Sequence, residues 1–304
     1  MNKIKISIII IFDQIREEKL RRLLDSIRPQ LLTEMEVLLI HESFVPARQP
    51  IFSILPVFPI ISIFPILPVN IRYIPIPEKQ GIPFNRNQGI QQAHGEIIVF
   101  IDDDCWVPEG WLDSLVTPLQ QDQDLLAVTG GTRVPPSNLM GDCIAALGFP
   151  GGGSLGFEKV WKVSSEGYTN HLSVGNCALQ RKIFPKVGLF DESMKSGAED
   201  TEFSYRLELA GIPIKYVSKG FAYHESRSSW ADFWRWQVRR GRANYQFRKK
   251  VGNINSFVKL RFWSAKNILK ENWRNWRLPL ILGLLGASFS LQQWGYLSEK
   301  WKRE

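Results

Sequence analysis

An apolar segment that ends in three consecutive aspartates constrains the fold of this chain more than any other feature. Residues 97–101 form an uninterrupted apolar run, which is typical of a strand buried on both faces. Asp102, Asp103 and Asp104 follow directly. Two carboxylates about 4 Å apart repel each other by roughly 4 kcal/mol at an effective dielectric of about 20. Three of them at a buried strand end therefore require a cation or several hydrogen-bond donors, unless the segment is an ordinary solvated turn.

Strand and helix patterns alternate on both sides of this segment. Apolar runs at 5–12 and 36–40 predict strands, and leucine and isoleucine at helical spacing predict a helix over 15–27. A strand–helix–strand order favours a βαβ unit in a parallel sheet. Ligands bind outside the carboxyl ends of the strands in such sheets. The sequence therefore predicts an α/β fold with its site at the aspartate end of residues 97–101.

Two segments interrupt the alternation. Residues 49–71 carry no charge and are rich in Ile, Phe, Leu, Val and Pro. Repeated proline argues against a helix, because each interior proline costs about 3 kcal/mol, so we predict an extended or irregular low-complexity insertion there. Residues 130–170 are rich in Gly, Pro and Ser and lack periodicity. A loop of that length inside a compact domain is usually functional.

The C-terminal part of the chain differs in charge from the rest. Residues 225–304 hold 17 Lys and Arg against 5 Asp and Glu, with eight of the 11 tryptophans. A basic segment rich in tryptophan suits an anionic membrane surface or nucleic acid. No nucleic-acid-reading motif is present, so we expect no nucleic-acid partner. We predict a catalytic domain over 1–225 and a helical, membrane-associating tail over 226–304.

Residues 278–298 are uncharged and long enough to span a bilayer. Because they contain Gln292, Gln293 and several serines, we favour a helix that lies in the membrane interface over one that spans it. A buried helix that pairs with another subunit is the third possibility. The three cysteines show no CxxC spacing, and no secretory leader is evident, which favours the cytoplasmic face of the membrane.

Four polar motifs follow predicted strands or open predicted helices. They are Asn85-Arg86-Asn87, the three aspartates, Glu199-Asp200 and Tyr223-His224-Glu225. Each alone is weak evidence for function, because a Glu-Asp pair at a helix start, for example, is more often a dipole partner than a catalyst. Their order along the chain is much more specific.

In that order the sequence resembles family 2 of the glycosyltransferases, enzymes of the GT-A fold, whose mostly parallel, Rossmann-like sheet is flanked by helices. The matching segments are FNRNQGIQQAHGEIIVFIDDDCWVPEGWL, VGNCALQRKIFPKVGLFDE and GAEDTEFSYRLELAGIPIKYVSKGFAYHE, at 84–112, 174–192 and 197–225. The resemblance covers roughly residues 4–45 and 72–225.

The resemblance implies a metal-dependent enzyme that uses a nucleotide-diphosphate sugar. Asp102 and Asp104 look like the family's DXD motif, which holds Mn²⁺ or Mg²⁺ against the diphosphate, and His224 stands where some members have a further ligand. Arg86 and Asn87 match the loop that contacts the donor, and Asp103 is grouped with these donor-binding residues. Oxygen ligands suit such hard cations.

Glu199 and Asp200 resemble the family's ED motif. The resemblance implies that Asp200 is the general base of an inverting reaction, while Glu199 orients Asp200 or binds the acceptor. Gly175 and Asn176 resemble the strand that lines the acceptor pocket. The expected acceptor is a saccharide or a lipid-linked molecule, and the loop at 130–170 would face it.

The chain departs from the family where the nucleotide base is read. The second strand ends in His41-Glu42-Ser43 instead of the usual Asp, so Glu42 is the expected substitute. A UDP-sugar is the expected donor, with GDP- and dTDP-sugars as alternatives. Two other functions remain open: an inactive, membrane-associated protein that binds saccharides or nucleotide sugars, and a nucleotidyltransferase of similar fold.

Overall fold

The computed structural model describes residues 4–13, 17–42, 69–252 and 254–303 of the 304-residue chain. Most of the predicted insertion at 49–71 lies outside these residues. Its last two residues, Asn70 and Ile71, begin a strand.

An eight-stranded mixed sheet forms the centre of the fold. In spatial order its strands are β3 (Asn70–Ile76), β2 (Met35–Glu42), β1 (Ile6–Phe12), β4 (Ile97–Asp102), β9 (Asn176–Gln180), β6 (Ala127–Thr129), β10 (Ile214–Tyr216) and β8 (Tyr168–Thr169). The first four strands are parallel, whereas β9 runs antiparallel to both of its neighbours. A second sheet contains β5 (Cys105–Trp106), β11 (Ala222–His224) and β7 (Thr132–Arg133).

Helices cover both faces of the large sheet and form the C-terminal region. They are α1 (Glu17–Ile27), α2 (Ile82–Gln92), α3 (Trp111–Gln121), α4 (Leu139–Ala145), α5 (Phe157–Val160), α6 (Phe184–Val187), α7 (Glu199–Leu209), α8 (Trp230–Val251), α9 (Asn255–Asn272) and α10 (Leu278–Arg303). Short 3₁₀ turns occupy Arg28–Gln30 and Arg181–Ile183.

Strand β1 is buried on both faces, as its continuous apolar run predicts. Ile8 and Ile10 pack in one core cluster with Leu23 of α1. Ile9, which points to the other face, belongs to a cluster with Phe100. The parallel strands β1, β2 and β4 therefore end at one buried edge, which places Asp102 at that edge beside residue 11.

The predicted loop at 130–170 contains β7, α4, α5 and β8 as short elements. Its glycines allow close turns that other residues would block. At Gly153, for example, φ is +57° and a Cβ would lie 2.2 Å from the carbonyl oxygen of Ala145. Short elements of this kind carry too few residues to show a hydrophobic period.

Helix α10 packs along α8 of the same chain at very close range. A Cβ at Gly241 would lie 2.0 Å from the carbonyl oxygen of Gln292, and one at Gly295 would lie 2.1 Å from that of Val238. The side-chain amide oxygen of the buried Gln237 accepts a hydrogen bond from Gln292 at 2.8 Å. In the part of the chain that the structure describes, no helix is both long and apolar enough to cross a membrane.

Glu36 on β2 is fully buried and joins three segments of the fold. Its carboxylate accepts hydrogen bonds from the Ser7 hydroxyl and the His94 backbone N–H, both at 2.6 Å, and from Arg72 at 3.2 Å. Burial favours a raised pKa, but these donors outweigh it and hold the pKa of Glu36 below its ordinary value of 4.5.

We expect Glu36→Gln to lower the free energy of unfolding by about 1.5–3 kcal/mol at neutral pH, because hydrogen bonds to a buried charge are lost. A depressed folded-state pKa stabilises the fold above the unfolded pKa, and this stabilisation is lost as the pH falls through the folded pKa. The difference between wild type and variant should therefore shrink below about pH 4.5. Urea unfolding at pH 7 and in acid measures it.

The matched control is Glu34→Gln, which removes a surface ion pair with Lys5 whose N–O distance is 2.9 Å. Exposed pairs of this kind contribute about 0–1 kcal/mol. Equal effects of the two substitutions at pH 7 would contradict the role assigned to Glu36.

Candidate active site

A cavity of about 810 Å³ opens at the carboxyl ends of β1, β2 and β4. Most of the site residues predicted from sequence line it: Glu42, Arg86, Asp102, Asp103, Asp104, Glu199, Asp200 and His224. Helices α8 and α9 line it as well, through residues such as Trp236, Arg240 and Arg261. The C-terminal helices therefore form one wall of the cavity.

At one end of the cavity Asp104 meets His224. Because β5 pairs antiparallel with β11, His224 lies opposite Cys105 and next to Asp104. The distance from His224 Nε2 to Asp104 Oδ1 is 3.1 Å. His224 Nδ1 lies 2.8 Å from the carbonyl oxygen of Glu225, an acceptor that fixes Nδ1 as the donor and leaves Nε2 as a ligand atom in the neutral ring.

The ligand atoms of Asp104, Cys105 and His224 all lie within 4.8 Å of one another. Burial, together with the neighbouring aspartates, raises the pKa of the Cys105 thiol well above its ordinary value. A protonated thiol is a poor ligand, whereas carboxylates and an imidazole suit Mn²⁺. The donor set at this end therefore fits a divalent cation held by Asp102, Asp104 and His224.

Gly175 positions Asp102. The Asp102 backbone N–H donates to the carbonyl oxygen of Gly175 at 3.2 Å, and a Cβ at Gly175 would lie 2.2 Å from Asp102 Oδ2. Burial and the like charge of Asp104 raise the pKa of Asp102, and they outweigh Arg86, which lowers it. A cation between the two carboxylates would relieve this repulsion.

Arg86, on α2, connects the two ends of the cavity. Its guanidinium forms a very short ion pair with Glu199 on α7, and it lies 3.9 Å from Asp102. Burial acts to lower the pKa of Arg86, but the two carboxylates outweigh burial and raise it. Arg86 therefore stays charged, and Glu199 is engaged with it.

Two further predicted donor-binding residues are Asn87, next to Arg86, and Glu42 at the end of β2. Asn87 does not line the cavity: its side chain donates to the carbonyl oxygen of Phe190 at 2.9 Å and accepts from the Phe190 N–H at 3.0 Å. Glu42 does line the cavity, but its carboxylate accepts from the Gly81 N–H and the Asn85 side chain at 2.8 and 3.1 Å. Both residues thus also hold the chain around α2.

Asp200 lies in the first turn of α7, which begins after Ala198 with its left-handed φ of 64°. Its Oδ1 accepts from the Thr201 N–H at 2.6 Å, whereas Oδ2 lies 3.8 Å from Nε2 of the buried His171. That distance is too long for a hydrogen bond. Asp200 therefore keeps one oxygen directed to the cavity and able to accept a proton.

Several cavity residues escaped prediction from the sequence. His171 is stacked on Trp161 with ring centroids 3.4 Å apart, and Arg227 lies over Trp236 at 4.6 Å. The alternation of arginine and aromatic residues over 229–245 is the signal that the sequence offers for this wall. It is typical of an interfacial helix, and the family resemblance also implies a helix beside the donor phosphates. For His171 and Trp161 the sequence contains no signal.

Comparisons with known proteins support the resemblance to glycosyltransferases. Residues 55–146 match the model of glycosyl transferase family 2. A chondroitin synthase from Pasteurella multocida is 26% identical over 46% of this chain and 17% of its own length. The O-antigen biosynthesis protein RfbC from Myxococcus xanthus is 27% identical over 75% of this chain and 18% of its own length.

These matches support the predicted resemblance to family 2 of the glycosyltransferases. The fold prediction is confirmed, because the chain superposes on a mannosyltransferase from Pyrobaculum calidifontis with a TM-score of 0.62. That likeness covers 99% of this chain and 88% of the other at 15% identity. The chain spans less than a fifth of the length of these two curated relatives.

We expect Gly175→Ala to weaken Mn²⁺ binding by about 10- to 100-fold, the range seen when a residue that supports a metal ligand is changed. The new Cβ would displace the carboxylate of Asp102. Stability should change little, because the atom in the way is the end of a side chain. Calorimetric titration with Mn²⁺ measures the affinity.

Gly283→Ala on α10 is the control, since a Cβ at Gly283 meets no atom within 4 Å. It should leave Mn²⁺ affinity unchanged. Equal affinities of wild type and Gly175→Ala would show that Asp102 is not a ligand.

Proposed function

We propose that this chain is a metal-dependent, inverting glycosyltransferase that moves a sugar from a nucleotide-diphosphate donor to a saccharide or lipid-linked acceptor. One observation carries the proposal. A carboxylate–imidazole cation site and a carboxylate able to accept a proton face the same cavity, and Arg86 joins them. The mannosyltransferase of similar fold was solved in complex with GDP-Man and Mn²⁺, which supports a nucleotide-sugar donor and a divalent cation.

In this proposal a cation held by Asp102, Asp104 and His224 would neutralise the charge of the donor diphosphate. Arg227 is attracted by the nearby charge of Asp104. It therefore adds positive charge at the end of the cavity where the cation would bind. Asp103 and Glu42 line the donor side of the cavity, where we expect UDP, with GDP and dTDP as alternatives.

Asp200 is the proposed general base. The acceptor oxygen attacks the anomeric carbon from the face opposite the diphosphate and passes its proton to Asp200. The bond between the anomeric carbon and the diphosphate oxygen breaks in the same step, and its electron pair leaves with the diphosphate. Glu199 remains paired with Arg86 and so does not compete for the proton.

We expect Asp200→Asn to lower kcat by about 10²- to 10⁴-fold, the usual contribution of a general base. Donor affinity should stay within about twofold, because Asp200 is not among the residues proposed to hold the cation. Turnover of UDP-, GDP- and dTDP-sugars with Mn²⁺ and a thermal-shift panel of the same donors measure the two properties. Glu208→Gln, an exposed residue on the same helix, is the control.

Unchanged turnover in Asp200→Asn would defeat the assignment of the base. Tight donor binding by the wild-type chain without turnover across the panel would favour the non-catalytic binding protein instead. Release of pyrophosphate from a nucleoside triphosphate and a sugar phosphate would favour the nucleotidyltransferase.

We also propose that the C-terminal helices dock on an anionic membrane surface, at the cytoplasmic face. Trp273, Trp276 and Trp301 expose 76%, 75% and 63% of their surface around the ends of α9 and α10. Basic residues lie among them, for example Arg274 and Lys302. Exposed tryptophan with lysine and arginine is the combination that binds at the headgroup level of anionic membranes.

The double substitution Trp273→Ala and Trp276→Ala should weaken binding to phosphatidylglycerol vesicles by at least about tenfold, since each indole buries a large apolar area at the interface. Vesicle co-sedimentation measures it, with phosphatidylcholine vesicles as the uncharged comparison. Leu209→Ala, which removes an exposed apolar side chain from the catalytic body, should leave binding unchanged. Equal sedimentation of all variants would exclude this surface.

A further inference from the structure

Arg261 of α9 enters the cavity on the side of Asp200. Its guanidinium lies 4.6 Å from the ring centre of Trp161 and 4.5 Å from that of Phe257. Trp161 in turn stacks on His171, whose Nε2 lies 3.8 Å from Asp200 Oδ2. Aromatic contacts thus hold Arg261 in a fixed place beside the proposed base.

Arg240 of α8 lies close to Arg261. Its guanidinium is 4.3 Å from the ring centre of Phe149 and 5.0 Å from that of Trp236. Both arginines line the cavity, and the positive charge of Arg261 lowers the pKa of Arg240. The guanidinium groups of Arg240 and Arg261 therefore both pack on aromatic rings at the same end of the cavity.

Neither guanidinium forms an ion pair with a carboxylate within 4.0 Å among the residues that the structure describes. Burial lowers the pKa of Arg240 to about 9 and that of Arg261 to about 10. Asp200 is the carboxylate that acts against this lowering in both cases. Both side chains remain cationic at neutral pH, so their charge is poorly compensated.

The neutral state of His171 is consistent with this excess of positive charge. Burial lowers the pKa of His171 well below its ordinary value, and Arg261 and Arg240 lower it further. His171 therefore adds no charge next to Asp200, and it offers a neutral hydrogen-bonding group to a ligand. The positive charge at this end belongs to the two arginines.

The carboxylate that attracts Arg240 and Arg261 is Asp200, whereas those that attract Arg227 include Asp104 and Asp102 of the metal end. Arg227 and Arg240 lie over the same Trp236 ring, 4.6 and 5.0 Å from its centre. Positive charge therefore continues along the cavity from the metal end to Asp200. Since the base must touch the acceptor hydroxyl, the charges beside Asp200 face the acceptor.

We infer that Arg240 and Arg261 bind an anionic group of the acceptor, a carboxylate or a phosphate carried close to the hydroxyl that is glycosylated. The inference rests on the proposed function and specifies its acceptor class. A guanidinium pairs with either group through two parallel hydrogen bonds. Trp161 and Phe149 supply flat apolar surfaces beside the anion for the rest of a sugar or polyol ring.

Two pairs of small probes test this inference on the full chain with Mn²⁺ and UDP present. Methyl glucuronoside against methyl glucoside tests a carboxylate, and glycerol 1-phosphate against glycerol tests a phosphate. Binding is measured by saturation-transfer NMR titration. At least one charged probe should bind about tenfold or more tightly than its neutral partner, as expected for hydrogen bonds to a charged group.

The preference should fall to less than about threefold in Arg240→Met and Arg261→Met, whereas Arg261→Lys should retain part of it because the charge remains. Arg248→Met is the control: Arg248 lies on the same helix as Arg240 but outside the cavity, beside Tyr296. Circular dichroism melts of all variants confirm that they fold.

The inference is overturned if neither charged probe binds more tightly than its neutral partner, or if the preference survives in both methionine variants. Mn²⁺-dependent turnover of a nucleotide sugar is measured separately. Turnover without a charge preference would defeat the anionic acceptor alone. A charge preference without turnover would defeat the proposed function and leave the anion site in place.

Discussion

The charge of Arg86 is the constraint on which the arrangement of the active site depends. Arg86 is buried on α2, the helix between β3 and β4. It pairs with Glu199 and lies 3.9 Å from Asp102. Without the charge of Arg86, the carboxylates of Glu199 and Asp102 would lie on either side of it with no positive charge between them. Because Arg86 pairs with Glu199, Asp200 is the carboxylate left for the proposed role of base.

Positive charge lines the cavity from the proposed metal end to Asp200. Arg227 lies near Asp104 and Asp102, where the proposed cation would neutralise a leaving diphosphate. Arg240 shares the Trp236 ring with Arg227, and both Arg240 and Arg261 are attracted by Asp200. This continuous line of charge suits the proposed charged donor and charged acceptor alike.

The C-terminal helices take part in both the site and the outer surface. Their inner faces contribute arginine and aromatic side chains to the cavity, and the contact of Gly241 with Gln292 lets α8 and α10 approach closely. Their outer faces expose tryptophans such as Trp273 and Trp276. The surface proposed to dock on the membrane is therefore built from the same helices as the cavity wall that contains Arg240 and Arg261.

The sequence by itself determined the buried strands at 5–12, 36–40 and 97–101, the aspartates that follow the last of them and the resemblance to family 2 of the glycosyltransferases, because these depend on local apolar patterns and on motifs in a fixed order. Only the tertiary structure decided that Asn87 supports Phe190 instead of lining the cavity. It also brought His171, Trp161 and Arg261 to Asp200. These contacts join residues that are distant in sequence, and no local pattern encodes them, because each depends on how separate helices and loops pack around one cavity.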